Sequence, residues 1–187
     1  MNLQERFIMT AIRTNNIEKV KKLLLSGFDP SVDDNYSIVA ASEHGHIEIV
    51  KLLLQDDRVG SSNDNLSIRF ASINGHIEIL NLLLQDNRFD PSDRSNYAIR
   101  LSAYNGQTMA VKLLLKDKRV NPSDCGNQAI ISASSYGHLE VVNLLLTDKR
   151  IDIHKLLQQD ITNKLREEID EYIVKQRQIN IDKTLDK

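Results

Sequence analysis

The chain has 187 residues, 41% hydrophobic, and a formal net charge of −2 from 24 basic and 26 acidic side chains. The two signs are interspersed and form no basic block, which argues against nucleic acid or an anionic membrane as partner. Cys125 is the sole cysteine, no apolar run approaches the ~20 residues needed to cross a bilayer, and the opening Met-Asn-Leu-Gln-Glu-Arg lacks signal-peptide features, so the reading is a soluble, intracellular, cytoplasmic protein.

Taken in order, the chain is built on one beat. A degenerate copy, Asn15-Asn-Ile-Glu-Lys-Val-Lys-Lys-Leu-Leu24, precedes Gly45-His-Ile-Glu-Ile-Val-Lys-Leu-Leu-Leu54, Gly75-His-Ile-Glu-Ile-Leu-Asn-Leu-Leu-Leu84, Gly106-Gln-Thr-Met-Ala-Val-Lys-Leu-Leu-Leu115 and Gly137-His-Leu-Glu-Val-Val-Asn-Leu-Leu-Leu146, with starts 30, 30, 31 and 31 residues apart. A fixed period in this range means stacked supersecondary units. The expected units are a capping unit at 1–28, full units at 29–59, 60–89, 90–120 and 121–151, and a C-terminal segment at 152–187.

Each full unit opens at an Asn (Asn35, Asn65, Asn96, Asn127) followed by apolar residues at helical spacing, such as Ile38 with Ala41 and Ile68 with Ala71. Asn is a favoured N-cap, so a short first helix is expected to start at each, capped by its side chain. A Gly then breaks the pair, tolerating the positive φ of a tight turn. The second helix carries Ile47, Val50, Leu53 and Leu54 on one stripe, widened by Ile49 and Leu52, an apolar surface that suits a helix flanked by copies of itself.

Connectors follow, rich in Asp, Asn and Ser and containing Asp90-Pro-Ser and Asn121-Pro-Ser. In the first copy Lys19 and Lys22 stand where later copies are apolar, which is expected of a face that meets water at the start of the stack. Past Arg150 the beat is lost. A short helix is expected within 152–159, then a longer one from Ile161 to near Gln178, capped by Asp160, with Ile161, Leu165, Ile169, Tyr172 and Ile173 on one face as a lid on the last unit.

Gly-His-Ile-Glu-Ile-Val-Lys-Leu-Leu-Leu closely resembles the second-helix signature of ankyrin repeats, and the likeness runs from residue 2 to about 152. The fold class is therefore expected to be all-α, an ankyrin-type solenoid of stacked helix–turn–helix repeats with short connectors. Where the family usually reads Thr-Pro-Leu-His, this chain has Tyr36-Ser-Ile-Val39, Leu66-Ser-Ile-Arg69, Tyr97-Ala-Ile-Arg100 and Gln128-Ala-Ile-Ile131. The family's hydroxyl cap and inter-repeat histidine network are expected to be absent, and the short connectors put its β-hairpin fingers in question. The shortened, Asn-rich repeats are similar to those of amoebal giant viruses and protists.

The resemblance implies a protein-binding solenoid without catalysis, meeting its partner on a concave surface. Carried over by position, the partner-binding candidates are Arg13 and Thr14, Glu43 and His44, Ile73 and Asn74, Tyr104 and Asn105, and Ser135 and Tyr136. A monomer binding another protein is the first reading. The alternative is a structural or self-assembling protein that oligomerises through its C-terminal helix.

Other chemistry lacks residues to carry it. His44 and His46 have no Cys or carboxylate cluster at ligand spacing, and Gln107 in the place of a turn His points to a turn role. Asp56, Asp86, Asp117 and Asp148 recur with Arg58, Arg88, Arg119 and Arg150, and pairing between units is expected of them. Cys125 has no base beside it, and phosphate-cradling loops are missing, so neither an enzyme nor a cofactor is expected.

Overall fold

The computed structural model describes residues 3–61 and 65–185. The apolar periodicity is realised as five helix pairs: α1 (Leu3–Arg13) with α2 (Ile17–Leu25), α3 (Val32–Glu43) with α4 (Ile47–Leu54), α5 (Leu66–Ile73) with α6 (Ile77–Gln85), α7 (Asp93–Tyr104) with α8 (Thr108–Lys116), and α9 (Asp124–Ser135) with α10 (Leu139–Leu146). First helices pack on first helices and second on second, giving two layers that run the length of the stack. Two further helices follow, α11 (Ile153–Leu157) and α12 (Asn163–Leu185), and α12 lies against α9 and α10.

The core is the seam between the layers. Val50, Leu53, Leu80, Leu83, Val111, Leu114, Val142 and Leu145 of the second helices are buried with Ile38, Ile68, Ile99 and Ile130 of the first. Ala41, Ala71 and Ala133, with Ser42, Ser72 and Ser134, fill the close approaches between helices. Ile161, Leu165 and Ile169 continue the core into the C-terminal segment. Lys22 is exposed as expected, whereas Lys19 is half-buried and spreads its stem so that Nζ lies 5.1 Å from the centre of the Phe7 ring. No helix among the described residues is long and apolar enough to cross a membrane.

The connectors bear out the doubt about the fingers. No strand occurs among the described residues, so β-hairpin fingers are replaced by another device. In α3, Asp33, Asp34 and Asn35 have φ of 53°, 57° and 60°; in α7, Arg94, Ser95 and Asn96 have 48°, 56° and 58°; in α9, Cys125, Gly126 and Asn127 have 50°, 66° and 64°. These three first helices are thus each entered through one left-handed turn, closed by a backbone bond from the Asn amide to the Ser four residues earlier (Asn35 to Ser31 3.0 Å, Asn96 to Ser92 2.8 Å, Asn127 to Ser123 2.9 Å). Left-handed torsions cost L-residues about 1–2 kcal/mol each, and Asn and Asp bear them best. That is the physical reason for the Asp- and Asn-rich connectors.

The Asn side chains therefore do not cap. Asn35 Oδ1 accepts from the Gly60 amide (2.9 Å), Asn65 Oδ1 from Asp90 (2.8 Å) and Asn96 Oδ1 from Asn121 (2.7 Å), each in the next unit. The amide groups of Asn65 and Asn96 donate onward to the carboxylates of Asp93 (3.3 Å) and Asp124 (2.6 Å). A capping role is overturned, since the left-handed torsions are not the β-region torsions typical of an N-cap and the side chains are spent on the next unit. These asparagines, half-buried at Asn35 and buried at Asn65 and Asn96, staple each unit to its successor. Asn127 ends the series: its Nδ2 meets Gln159 Oε1 at 3.4 Å, and its Oδ1 is buried without a partner among the described residues. The cap on α12 also differs, since Thr162 Oγ1, not Asp160, accepts from the Leu165 amide (3.2 Å).

The Asp–Arg rows form within units, not between them. Arg58, Arg88, Arg119 and Arg150 each hold the Asp two residues earlier at 2.6 Å. The rest of each guanidinium reaches back across the junction to backbone carbonyls. Arg88 donates to Val59 (2.6 Å) and Leu54 (2.8 Å), Arg119 to Phe89 and Leu84 (both 2.9 Å), and Arg150 to Val120 (2.6 Å) and Leu115 (2.7 Å). These carbonyls are the orphan acceptors at the end of the preceding second helix and its connector. The Asp holds the fork in the plane that reaches them, a task suited to Arg and not to Lys. Hydrogen bonds from Arg58 hold the Asp56 carboxyl down at about 2, and the same cause lowers Asp86, Asp117 and Asp148.

Candidate functional site

Counting from each unit's Asn, the second, third, sixth and seventh residues onward are buried, for example Ala98, Ile99, Ser102 and Ala103. The first, fourth and eighth reach solvent, joined at the fifth by half-buried Phe70 and Leu101, and on a helix the first, fourth and eighth share a face. The open stripe of the first-helix layer therefore reads Tyr36, Val39, Glu43; Leu66, Arg69, Ile73; Tyr97, Arg100, Tyr104; Gln128, Ile131, Ser135. Val39 is the exception in being buried.

The positional candidates divide between this stripe and the turns beside it. Glu43, Ile73, Tyr104 and Ser135 lie on the stripe, with Glu43 and Ile73 half-buried and Tyr104 and Ser135 exposed. His44, Asn74, Asn105 and Tyr136 occupy the turn, and Arg13 and Thr14 are the exposed equivalents in the first pair. Four have polar groups committed: Thr14 Oγ1 donates to the Thr10 carbonyl (2.8 Å), Asn74 Nδ2 to the Glu43 carbonyl (2.9 Å), Asn105 Nδ2 to the Leu101 carbonyl (2.8 Å) and Ser135 Oγ to the Ile131 carbonyl (2.8 Å). Tyr104 and Tyr136 are brought together across the repeat junction, ring centres 4.3 Å apart, yet remain 43% and 57% exposed. Tyr104's hydroxyl beside it raises the Tyr136 phenol above its ordinary range.

The turn that positions these residues is stabilised between units, contrary to the expected absence of a histidine network. His76 Nε2 lies 3.1 Å from the Glu43 carbonyl and His138 Nε2 3.0 Å from that of Tyr104. A carbonyl only accepts, so each Nε2 carries the proton. Gln107 Nε2 donates to the Ile73 carbonyl (2.8 Å), which explains how Gln stands in for His: both deliver one N–H at the same reach. The network comes from the turn rather than from the first helix, so the departure from Thr-Pro-Leu-His did not remove it. These side chains lie over the preceding glycine. A Cβ on Gly45 would sit 2.7 Å from the His76 ring, and one on Gly106 2.6 Å from His138. Gly is thus required by its φ (74° and 67°) and also by what covers it.

His46 holds the same position but its Nε2 is buried with no hydrogen-bond partner among the described residues. Burial first, then the neighbouring His44 ring 5.7 Å away, keeps it below the ordinary histidine value. Among the described residues no group of three or more His, Cys, Asp or Glu could hold a metal ion.

A family model for ankyrin repeats, three copies long, matches residues 8–95 and again 68–156. The chain belongs to the ankyrin repeat family. Ankyrin repeats are generally protein–protein interaction modules and typically non-catalytic. No curated protein matches the sequence. Within this ankyrin stack the positional carry-over reached only the eighth and turn positions. Tyr36, Leu66, Arg69, Tyr97 and Arg100 were missed as surface residues. The signal was present: the fourth position is Val39 and Ile131 in the outer full units but Arg69 and Arg100 in the two between.

Proposed function

We propose that this chain is a non-catalytic protein-binding module that works inside the cell as a monomer, taking its partner on the open, concave stripe of the first-helix layer as an adaptor, scaffold or host-directed factor. One observation carries the reading. Stapling and core positions repeat from unit to unit, while stripe positions change from Glu43 to Ile73, Tyr104 and Ser135. The paired rings of Tyr104 and Tyr136, exposed yet held against each other, are the kind of rigid aromatic anchor that dominates interfaces. The test is capture of partners from the native cell on the full chain, against Tyr104→Ala/Tyr136→Ala. The double variant should lose the partner with its melting temperature little changed. Retention of every partner by this variant and by Ile73→Ala sinks the reading.

Self-assembly is the second reading, because α12 leaves Val174 63% and Ile179 43% exposed. Light scattering of the intact chain against Val174→Lys/Ile179→Lys decides it. Only an oligomer in the unmodified chain that dissociates in the variant supports assembly.

A further inference from the structure

In the middle of the open stripe two guanidinium groups share one ring. Arg69 Cζ lies 4.3 Å and Arg100 Cζ 4.9 Å from the centre of Tyr97. Each connector arginine has an Asp at 2.6 Å, but neither Arg69 nor Arg100 makes an ion pair among the described residues. Arg100 is fixed by donating Nε to the Ser95 carbonyl (3.0 Å) and Nη2 to that of Arg94 (3.1 Å). Arg69 is half-buried, and its Nε is buried with no hydrogen-bond partner among the described residues. Two cations held together, partly desolvated and without a counter-ion among the described residues, oppose folding, and the apolar Val39 and Ile131 at the same position show that the scaffold does not need them. An anionic group arriving from outside would relieve this. Each guanidinium has five N–H donors, and those not spent on the Ser95 and Arg94 carbonyls, held in place against the ring, are suited to carboxylates.

We infer that Arg69, Tyr97 and Arg100 form a docking site for an acidic segment of a protein partner, two carboxylates spaced by apolar side chains. The inference rests on the protein-binding reading and names the chemistry of its partner. Leu66, Ile73 and Tyr104 on the same stripe give the apolar side chains their contacts. The chain's net charge of −2 and its scattered basic residues favour a peptide over a nucleic acid.

The probe is a fluorescein-labelled peptide alternating Glu with Leu and Ala, with analogues carrying Gln or Lys for every Glu, and a labelled oligothymidine. Anisotropy titrations of the full chain should show binding of the Glu peptide only, weakening with salt. Arg69→Gln/Arg100→Gln should weaken it at least about tenfold, while Lys116→Gln/Lys118→Gln, with the same charge change elsewhere, should not. If the Gln variant is poorly folded, Arg69→Lys/Arg100→Lys keeps the charge but not the fork and should bind at an intermediate level. Tyr97 ring resonances of the unmodified chain should move on addition of the peptide. Equal binding by the Arg and Lys double variants, or tighter binding of oligothymidine, overturns the inference. Partner capture that needs Tyr104 but survives Arg69→Gln/Arg100→Gln overturns it too, and leaves the protein-binding reading intact. Glu-peptide binding lost in Arg69→Gln/Arg100→Gln, with no captured partner, would sink that reading and support the site.

Discussion

Replacing Asn96 by Ala separates stapling from capping. Its side chain accepts from the Asn121 amide at 2.7 Å and donates to Asp124 Oδ2 at 2.6 Å, and the residue is 4% exposed at φ 58°. A neutral buried hydrogen bond contributes about 0.5–1.5 kcal/mol and one to a carboxylate about 1.5–3. Ala in the left-handed region adds roughly 0.5–1 kcal/mol over Asn. Partial rescue by water at the rim brings the expected loss to about 3 kcal/mol, within the ~5–15 kcal/mol of an ordinary domain. Asn127→Ala is the internal control. It has the same torsion (φ 64°), but its Oδ1 has no partner and its Nδ2 only a 3.4 Å contact with Gln159. About 1 kcal/mol is expected there, most of it torsional.

Urea unfolding followed by far-ultraviolet circular dichroism measures both variants on one extrapolation. Repeat stacks can lose cooperativity, so amide exchange at Asn121 gives a local second reading and should quicken only in Asn96→Ala. Equal losses to within about 0.5 kcal/mol would refute the staple, because side-chain capping costs a similar ~1 kcal/mol at every unit.

Three other outcomes follow from the same geometry. Leu53→Ala and Leu83→Ala, each fully buried, should destabilise the stack by about 2–5 kcal/mol, and a loss under about 0.5 kcal/mol would show that they are not in the seam. Gly126→Ala meets nothing within 4 Å and should still cost about 1 kcal/mol through its φ of 66°, whereas Gly60→Ala, also unobstructed but not left-handed, should be neutral or slightly stabilising; both are read by thermal melting. Below about pH 4 stability should fall, because Asp56, Asp86, Asp117 and Asp148 titrate lower folded than unfolded. Their contribution is present above the unfolded carboxyl range and lost as pH drops through the folded values, about 2 for Asp56; Asp56→Asn should flatten that part of a pH-dependent melt.

The second helices were legible because packing writes itself as identity: Leu53, Leu83, Leu114 and Leu145 recur since each faces two copies of the same surface. The staples were visible but misread. Asn35, Asn65 and Asn96 stand where a cap would stand, and only the torsions distinguish a side chain that bonds its own helix from one that bonds a residue 25 positions on. The Asp–Arg rows failed likewise, since sequence recurrence marks the pair but not that its arginine is spent on carbonyls of the unit before. Gly45 and Gly106 were read as turn residues, and the His76 and His138 rings above them are invisible in a one-dimensional pattern.

The open stripe was hardest, for a reason inherent in the fold. A position that binds a partner is free of the repeat constraint, so it leaves no periodic trace and looks like neutral surface. What exposes Arg69 and Arg100 is that variation there is not neutral in energy. A solvent position can drift among polar residues at little cost, but two cations on one Tyr97 ring with a buried, unpartnered Nε carry a penalty that the unliganded stack bears alone. Removing that penalty gives a direct check. Arg69→Leu should stabilise the free chain in urea while weakening the acidic peptide, an opposition in sign that a purely structural arginine would not produce.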